Sequence, residues 1–304
     1  MSPNEPVSSY FFSAPDGLKL HALAAGPRAS PWLPVICLPG IARTSEDFRE
    51  TIDALAFDPE RPRRVLALDS RGRGLSARDP NPENYSVPVE LGDVLALLDA
   101  NAIERAIFIG TSRGGILTMT MSMAQPRSIA GAVLNDIGPV IDMTGLIRIK
   151  SYVGKLPKPT SYEDAIRIMQ PVMASQFPGW SHADWLRYVR RTFQESVGGG
   201  VELRYDPAIS AALAAVDPAV PAPPLWPQFD ALPTVPLMVI RGEHSDLLSR
   251  ETVAEMRARR PDLEVVEVAG QGHAPMLTEA STLGPIVRFA ARCDQANSVA
   301  APRT

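Results

Sequence analysis

The run Ala106-Ile107-Phe108-Ile109-Gly110 passes without a break into Thr111-Ser112-Arg113-Gly114-Gly115 and then ILTMTMSMA, so a strand must reverse into a helix within a few residues. No proline falls between Pro88 and Pro126. Proline is excluded from central strands and helix interiors, so this stretch reads as buried regular structure. The turn itself is G-x-S-x-G in strand-turn-helix context. Such a turn lifts Ser112 into a strained conformation with its hydroxyl exposed, and side chains at positions 110 and 114 would collide with neighbouring backbone. Leu117, Met119, Met121 and Met123 alternate with polar residues, a pattern that alone favours a strand. The preceding strand and turn override it and predict a buried helix.

The surrounding chain repeats the same alternation. Short β-rich runs at Tyr10 to Ser13, Leu18 to Ala24, Val35 to Leu38, Val65 to Asp69, Ala106 to Gly110 and Ile129 to Asn135 are separated by helical patterns at Ser45 to Ala56 and Val89 to Asn101. This predicts an α/β fold with a mostly parallel, doubly wound sheet. After Asp136 the rhythm stops for about 95 residues, then resumes with a strand at Pro236 to Gly242, a helix near Arg250 to Arg260, a strand at Leu263 to Val268 and a helix at Leu283 to Ala291. The expected organisation is a core of residues 1–137 and 233–293, an insertion of residues 138–232 and a flexible tail of residues 294–304. Helices are expected at Tyr162 to Ala174 and Ala183 to Ser196. The insertion holds ten of the 19 aromatic residues, which serve its own packing, a ligand-facing wall, or both. Eight prolines between Pro207 and Pro236 mark its irregular return to the sheet.

Composition excludes several classes of function. Thirty Lys and Arg against 34 Asp and Glu leave a formal net charge of −4, too near balance for a nucleic-acid or membrane-surface protein. Hydrophobic residues at 45% and charged residues at 21% fit an ordinary globular chain. Two distant cysteines, Cys37 and Cys293, make neither a disulfide framework nor a cysteine-based zinc site. With no signal-like N-terminus and no apolar run near 18 residues, a cytoplasmic location is expected.

A serine hydroxyl is a poor nucleophile without a base, and only His21, His182, His244 and His273 are available. His273, in Gly270-Gln271-Gly272-His273-Ala274-Pro275, lies on a glycine-bearing loop after the last expected strand. His21 falls in an early strand and His182 in the insertion. The base needs a carboxylate to hold its tautomer. Asp246 follows the strand LMVIRG and gives the order Ser112, Asp246, His273, so it is the expected acid. Glu243 and Asp136 are rivals, the latter because it follows the strand AGAVLN. Charge developing on a carbonyl oxygen requires two aimed backbone N–H groups, expected from Arg113, directly after the nucleophile, and from Ile41 in Pro39-Gly40-Ile41 after the strand VICL.

With these motifs the sequence resembles the α/β-hydrolase superfamily from about Leu18 to Ala291. The resemblance rests on Gly110 to Gly114, Leu38-Pro39-Gly40-Ile41, Asp69-Ser70-Arg71-Gly72-Arg73-Gly74-Leu75-Ser76 after the fourth family strand, Asp246, and Gly272-His273. It implies an α/β-hydrolase fold with a helical cap inserted after the sixth family strand, and an enzyme similar to the capped esterases and lactonases. Pro39 replaces the family's usual histidine, and Arg113 is an uncommon neighbour for the nucleophile; its guanidinium is expected to pair with Asp69 or another acid as scaffolding.

The expected activity is a serine hydrolase of carboxylic esters or lactones, working on a small, largely apolar substrate as a monomer or homodimer. Carbon–carbon hydrolysis by the same serine and a non-catalytic ligand-binding protein are the alternatives. Position 112 being serine disfavours an aspartate-nucleophile dehalogenase or epoxide hydrolase. Gly72-Arg73-Gly74-Leu75-Ser76-Ala77 mimics a dinucleotide fingerprint, but Pro80 and Pro82 break the helix that such a site must open. No phosphate-loop or metal-ligand spacing is present, so neither a cofactor nor a metal is expected.

Overall fold

A computed structural model describes residues 7–214, 216–217 and 219–300. Pro218 of the proline-dense stretch and positions 301–304 of the expected tail lie outside the described residues. In chain order the strands of the main sheet are β1 (Ser8–Ser13), β2 (Lys19–Ala25), β3 (Val35–Leu38), β4 (Val65–Asp69), β5 (Ala106–Thr111) and β6 (Ile129–Asn135). Helices α1 (Arg49–Ala56), α2 (Val87–Ala100) and α3 (Arg113–Ala124) connect them. The insertion carries α4 (Met143–Tyr152), α5 (Tyr162–Met173), α6 (His182–Thr192), the strands β7 (Phe193–Glu195) and β8 (Val201–Leu203), and α7 (Trp226–Asp230). The sheet then resumes with β9 (Leu237–Gly242), α8 (Arg250–Arg259), β10 (Glu264–Val268) and α9 (Ala280–Ala300).

The eight-stranded sheet runs in the order β1-β2-β4-β3-β5-β6-β9-β10, antiparallel at β1-β2 and β2-β4 and parallel from β4 onward. Strands β3 to β6 are apolar along nearly their whole length because both faces are covered. Ile36, Leu66, Phe108 and Leu134 point towards α2, α3 and α8, and Val35, Val65, Ile107 and Val133 towards α1 and α9. The segment after Ser112 is a helix despite its alternating methionines. Gly114, Gly115, Leu117, Thr118, Met119, Met121 and Ser122 are buried, and Met123 is exposed.

Within the insertion the structure departs from the expected helices. The second helix stops at Thr192 rather than continuing to Ser196, because Phe193–Glu195 and Val201–Leu203 pair as an antiparallel hairpin. Gly199 and Gly200, both at positive φ, supply its turn. The start of α6 is fixed by a capping box in which Ser181 and Asp184 satisfy each other's backbone N–H groups. The tail expected from position 294 is instead part of α9 as far as Ala300, and buried Asp294 pairs with Arg63 and accepts from the Leu33 N–H.

Candidate active site

Ser112 sits between β5 and α3 at φ 49° and ψ −111°, a strained conformation for a residue with a side chain. It is tolerated because the neighbouring positions have none. A Cβ on Gly114 would stand 2.1 Å from the Leu38 carbonyl oxygen, and one on Gly110 would stand 2.5 Å from the Gly114 carbonyl. The turn is fastened by the Ser112 N–H donating to Asn135 O (3.0 Å) and by Ser112 O accepting from the first turn of α3.

His273 lies in the loop after β10, with Nε2 2.9 Å from Ser112 Oγ and Nδ1 2.8 Å from Asp136 Oδ2. The serine, imidazole and carboxylate therefore form one hydrogen-bonded line. Asp136 is fully buried immediately after β6, at φ 54°. Its Oδ1 accepts from the Gly242 N–H (2.8 Å) and its Oδ2 also accepts from Ser245 Oγ (2.6 Å). These donors fix the orientation of the carboxylate. The backbone N–H of His273 donates to Gln176 Oε1 (2.7 Å), so the base is anchored from the insertion as well as from the sheet.

The carboxylate that meets the imidazole is thus that of Asp136 and not, as expected, that of Asp246. Asp246 lies four residues beyond β9 and its two oxygens accept from Arg148 Nε and Nη2 of α4, at 2.6 and 2.8 Å. A half-buried ion pair between insertion and core occupies the residue on which the expected chain order relied. Glu243 is exposed and accepts from the Gly270 N–H. Among the other histidines, His21 bonds Asp69 and Ser9, and exposed His182 stands beside Glu163.

Ile41 and Arg113 both stand beside the serine. A Cβ on Gly40 would lie 3.8 Å from Ser112 Cβ, placing the Gly40-Ile41 turn against the nucleophile. Among the described residues neither the Ile41 nor the Arg113 N–H has a protein acceptor. The Arg113 N–H belongs to the open N-terminus of α3, where backbone donors favour negative charge. Its side chain pairs with an acid, but with Glu90 rather than Asp69 (Nε to Oε2, 2.7 Å). Burial raises the pKa of Glu90, and the Arg73 and Arg113 guanidiniums more than offset this, leaving it below its ordinary value.

Ser112 and His273 open into a narrow cleft between the core and the insertion. Its floor is Gly40, Ile41, Ser112 and Asn135, and its far wall is built by the insertion from Ile149, Tyr152, Met169, Met173, Phe177 and Tyr188. The insertion's aromatics do both jobs open to them. Phe177 stacks on Trp180 and packs with Tyr188 inside the insertion, and both Phe177 and Tyr188 face the cleft.

Among the described residues no group of three His, Cys, Asp or Glu is placed to hold a metal, and no helix is long and apolar enough to cross a membrane. The dinucleotide-like glycines serve the chain itself. Gly74, at φ 55°, leaves the space taken by the Asp69 carboxylate, only 2.1 Å from where its Cβ would stand.

Residues 35–283 match the profile of the Alpha/beta hydrolase family. The crystal structure of an alpha/beta hydrolase from Novosphingobium aromaticivorans superposes with a TM-score of 0.85 at 40% identity, covering 94% of this chain and 98% of that one. A 3-hydroxybutyrate-oligomer hydrolase of Cupriavidus necator is 32% identical over 279 residues, 89% of this chain and 93% of the relative. A 2-(acetamidomethylene)succinate hydrolase of Mesorhizobium japonicum is 29% identical over 209 residues, 69% of this chain and 71% of the relative. With its sheet order, its insertion between β6 and β9 and its serine at the β5–α3 turn, the chain belongs to the alpha/beta hydrolase family.

Proposed function

We propose that the protein is a serine hydrolase of carboxylic esters, with short oligoesters of hydroxy acids as its foremost substrates. The observation that carries the reading is the line Ser112–His273–Asp136 at 2.9 and 2.8 Å, opening onto a largely apolar cleft. The resemblance to a 3-hydroxybutyrate-oligomer hydrolase over nearly the whole of both chains supports the choice of substrate.

In this mechanism His273 Nε2 takes the Ser112 proton as Oγ attacks the ester carbonyl, and Asp136 stabilises the imidazolium while holding Nδ1–H towards itself. The Ile41 and Arg113 N–H groups stabilise the oxyanion. The imidazolium returns its proton to the departing alkoxide, releasing the alcohol and leaving Ser112 acylated. Water, deprotonated by His273, attacks the acyl carbonyl, and collapse of the second oxyanion releases the acid and restores the serine. The insertion supplies the wall that selects the acyl or alcohol group. Buried, unpaired Cys37 and Cys293 support a reducing compartment.

The test combines a fluorophosphonate label with acid release from a hydroxybutyrate dimer and trimer and from p-nitrophenyl esters. Labelling at Ser112 and turnover that is abolished in Ser112→Ala are expected. Turnover surviving Ser112→Ala would overturn the reading. So would cleavage confined to a vinylogous diketone, which marks a carbon–carbon hydrolase, or tight ligand binding with no turnover at all.

A further inference from the structure

The two residues assigned to the oxyanion site are far apart in sequence, yet one buried chain of polar contacts joins them. Arg73, in the turn after β4, donates from Nε to the Ile41 carbonyl at 2.8 Å. Its Nη1 donates to Glu90 Oε1 and to Arg71 O, each at 2.7 Å. The other oxygen of Glu90 accepts from Arg113 Nε at 2.7 Å. The path is Ile41 O to Arg73, Arg73 to Glu90, and Glu90 to Arg113, with Arg73 and Glu90 each 1% exposed.

The Ile41 segment needs such a brace. Its turn holds one internal backbone bond, Arg43 N–H to Gly40 O at 3.1 Å, and Pro39 offers neither a side-chain donor nor an N–H. Because Arg73 holds the Ile41 carbonyl, displacement of the loop that carries the Ile41 N–H breaks a charge-assisted bond to a buried guanidinium. Glu90 lies on α2 and grips both guanidiniums, so one carboxylate sets the positions of the Ile41 loop and the start of α3 together. Charge neutralisation alone requires neither the bond to a backbone carbonyl nor the choice of the residue following the nucleophile.

We propose that Glu90 and Arg73 are positioning residues that fix the Ile41 and Arg113 N–H groups relative to each other, so that both point at one oxyanion. This rests on the reading of Ser112 as nucleophile. Removing a whole oxyanion donor lowers turnover by about 10²–10³. Losing the brace misaligns a donor without removing it, so Glu90→Gln and Arg73→Met are expected to lower kcat by about 10–100-fold with KM within about threefold.

The discriminating measurement is affinity for a trifluoromethyl ketone, which adds Ser112 Oγ to its carbonyl and leaves an oxyanion where the transition state has one. Its affinity is expected to fall by the same factor as kcat/KM in both variants. If Glu90→Gln does not fold, the paired variant Glu90→Gln/Arg113→Gln removes one cation with the anion and is read in the same way. Folded variants with kcat and ketone affinity within twofold of the wild type would overturn the proposal and leave the serine-hydrolase reading intact. A loss of kcat with unchanged ketone affinity would also overturn it. A wild type that neither labels with fluorophosphonate nor turns over any ester would overturn both.

Discussion

Asp136→Asn tests the assignment of the acid, and the structure dictates how the new amide must sit. Oδ1 accepts from the Gly242 N–H at 2.8 Å, so that position must remain an oxygen. The amide nitrogen is then forced into the place of Oδ2, 2.8 Å from His273 Nδ1 and 2.6 Å from Ser245 Oγ. Ser245 adapts by rotating its hydroxyl, but His273 does not. An NH₂ donor facing Nδ1 makes that nitrogen the acceptor and leaves the proton on Nε2, the atom that must take the Ser112 proton. The expected loss is about 10⁴ in kcat, or about 5.5 kcal/mol of transition-state stabilisation. KM should change little, because Asp136 lies behind the imidazole and away from the cleft. Asp246→Asn loosens a partly buried pair with Arg148 and is expected to cost about 1–2 kcal/mol of stability while kcat stays within a few-fold of the wild type. Steady-state hydrolysis of a p-nitrophenyl ester, with thermal melts of both variants, separates the outcomes. A 10⁴-fold loss in Asp246→Asn with near-normal rates in Asp136→Asn would refute the reasoning.

Other perturbations follow from the same geometry. Ser112→Ala should lower kcat by about 10⁶ and abolish fluorophosphonate labelling while leaving the melting temperature near that of the wild type. Gly114→Ala forces a methyl against the Leu38 carbonyl and should cost at least about 1–3 kcal/mol in denaturant titration, with activity lost alongside. Burial pushes the Asp93 carboxyl up to about 6, against the lowering effect of its pair with Arg71. The folded state therefore holds this proton more tightly than the unfolded chain, and Asp93 contributes a stability term that is lost as pH rises from about 4 through 6. That term is worth at most about 3 kcal/mol. Asp93→Asn should accordingly gain stability relative to the wild type as pH is raised from 4.5 to 7, and a constant difference in melting temperature across that range would contradict the assignment.

Much of the arrangement was legible because single residues carry steric demands. Gly110, Gly114 and the apolar strand before them specify the turn that presents Ser112, and the glycine-bearing loop before Ala274-Pro275 identifies His273. The acid was not legible in the same way. Asp136 and Asp246 both follow strands that end at the same edge of the sheet, and chain order does not record which carboxylate faces the imidazole. The choice is made by the positive φ of Asp136, which turns its carboxylate towards the Gly242 N–H, and by Arg148, which claims Asp246 from a helix about 100 residues earlier. Neither has a local sequence signal. The hairpin at Phe193 was hidden because the amphipathic spacing of α6 runs up to it, and only the glycines at 198–200 hint at a reversal. Proline was an imperfect guide: Pro171 lies inside α5 and Pro285 inside α9.

The hydrogen bond from the His273 N–H to Gln176 ties the insertion to the loop that carries the imidazole. Gln176 Oε1 stands 2.3 Å from where a Cβ on Gly272 would be, so the two segments fit without clearance. Swinging residues 174–177 off the sheet strips a buried N–H of its acceptor, at a cost of about 1–3 kcal/mol, and frees the loop that aims the imidazole. One wall of the cleft and the loop that carries the imidazole therefore share a contact, so a change packed into the insertion at Gln176 reaches His273 directly.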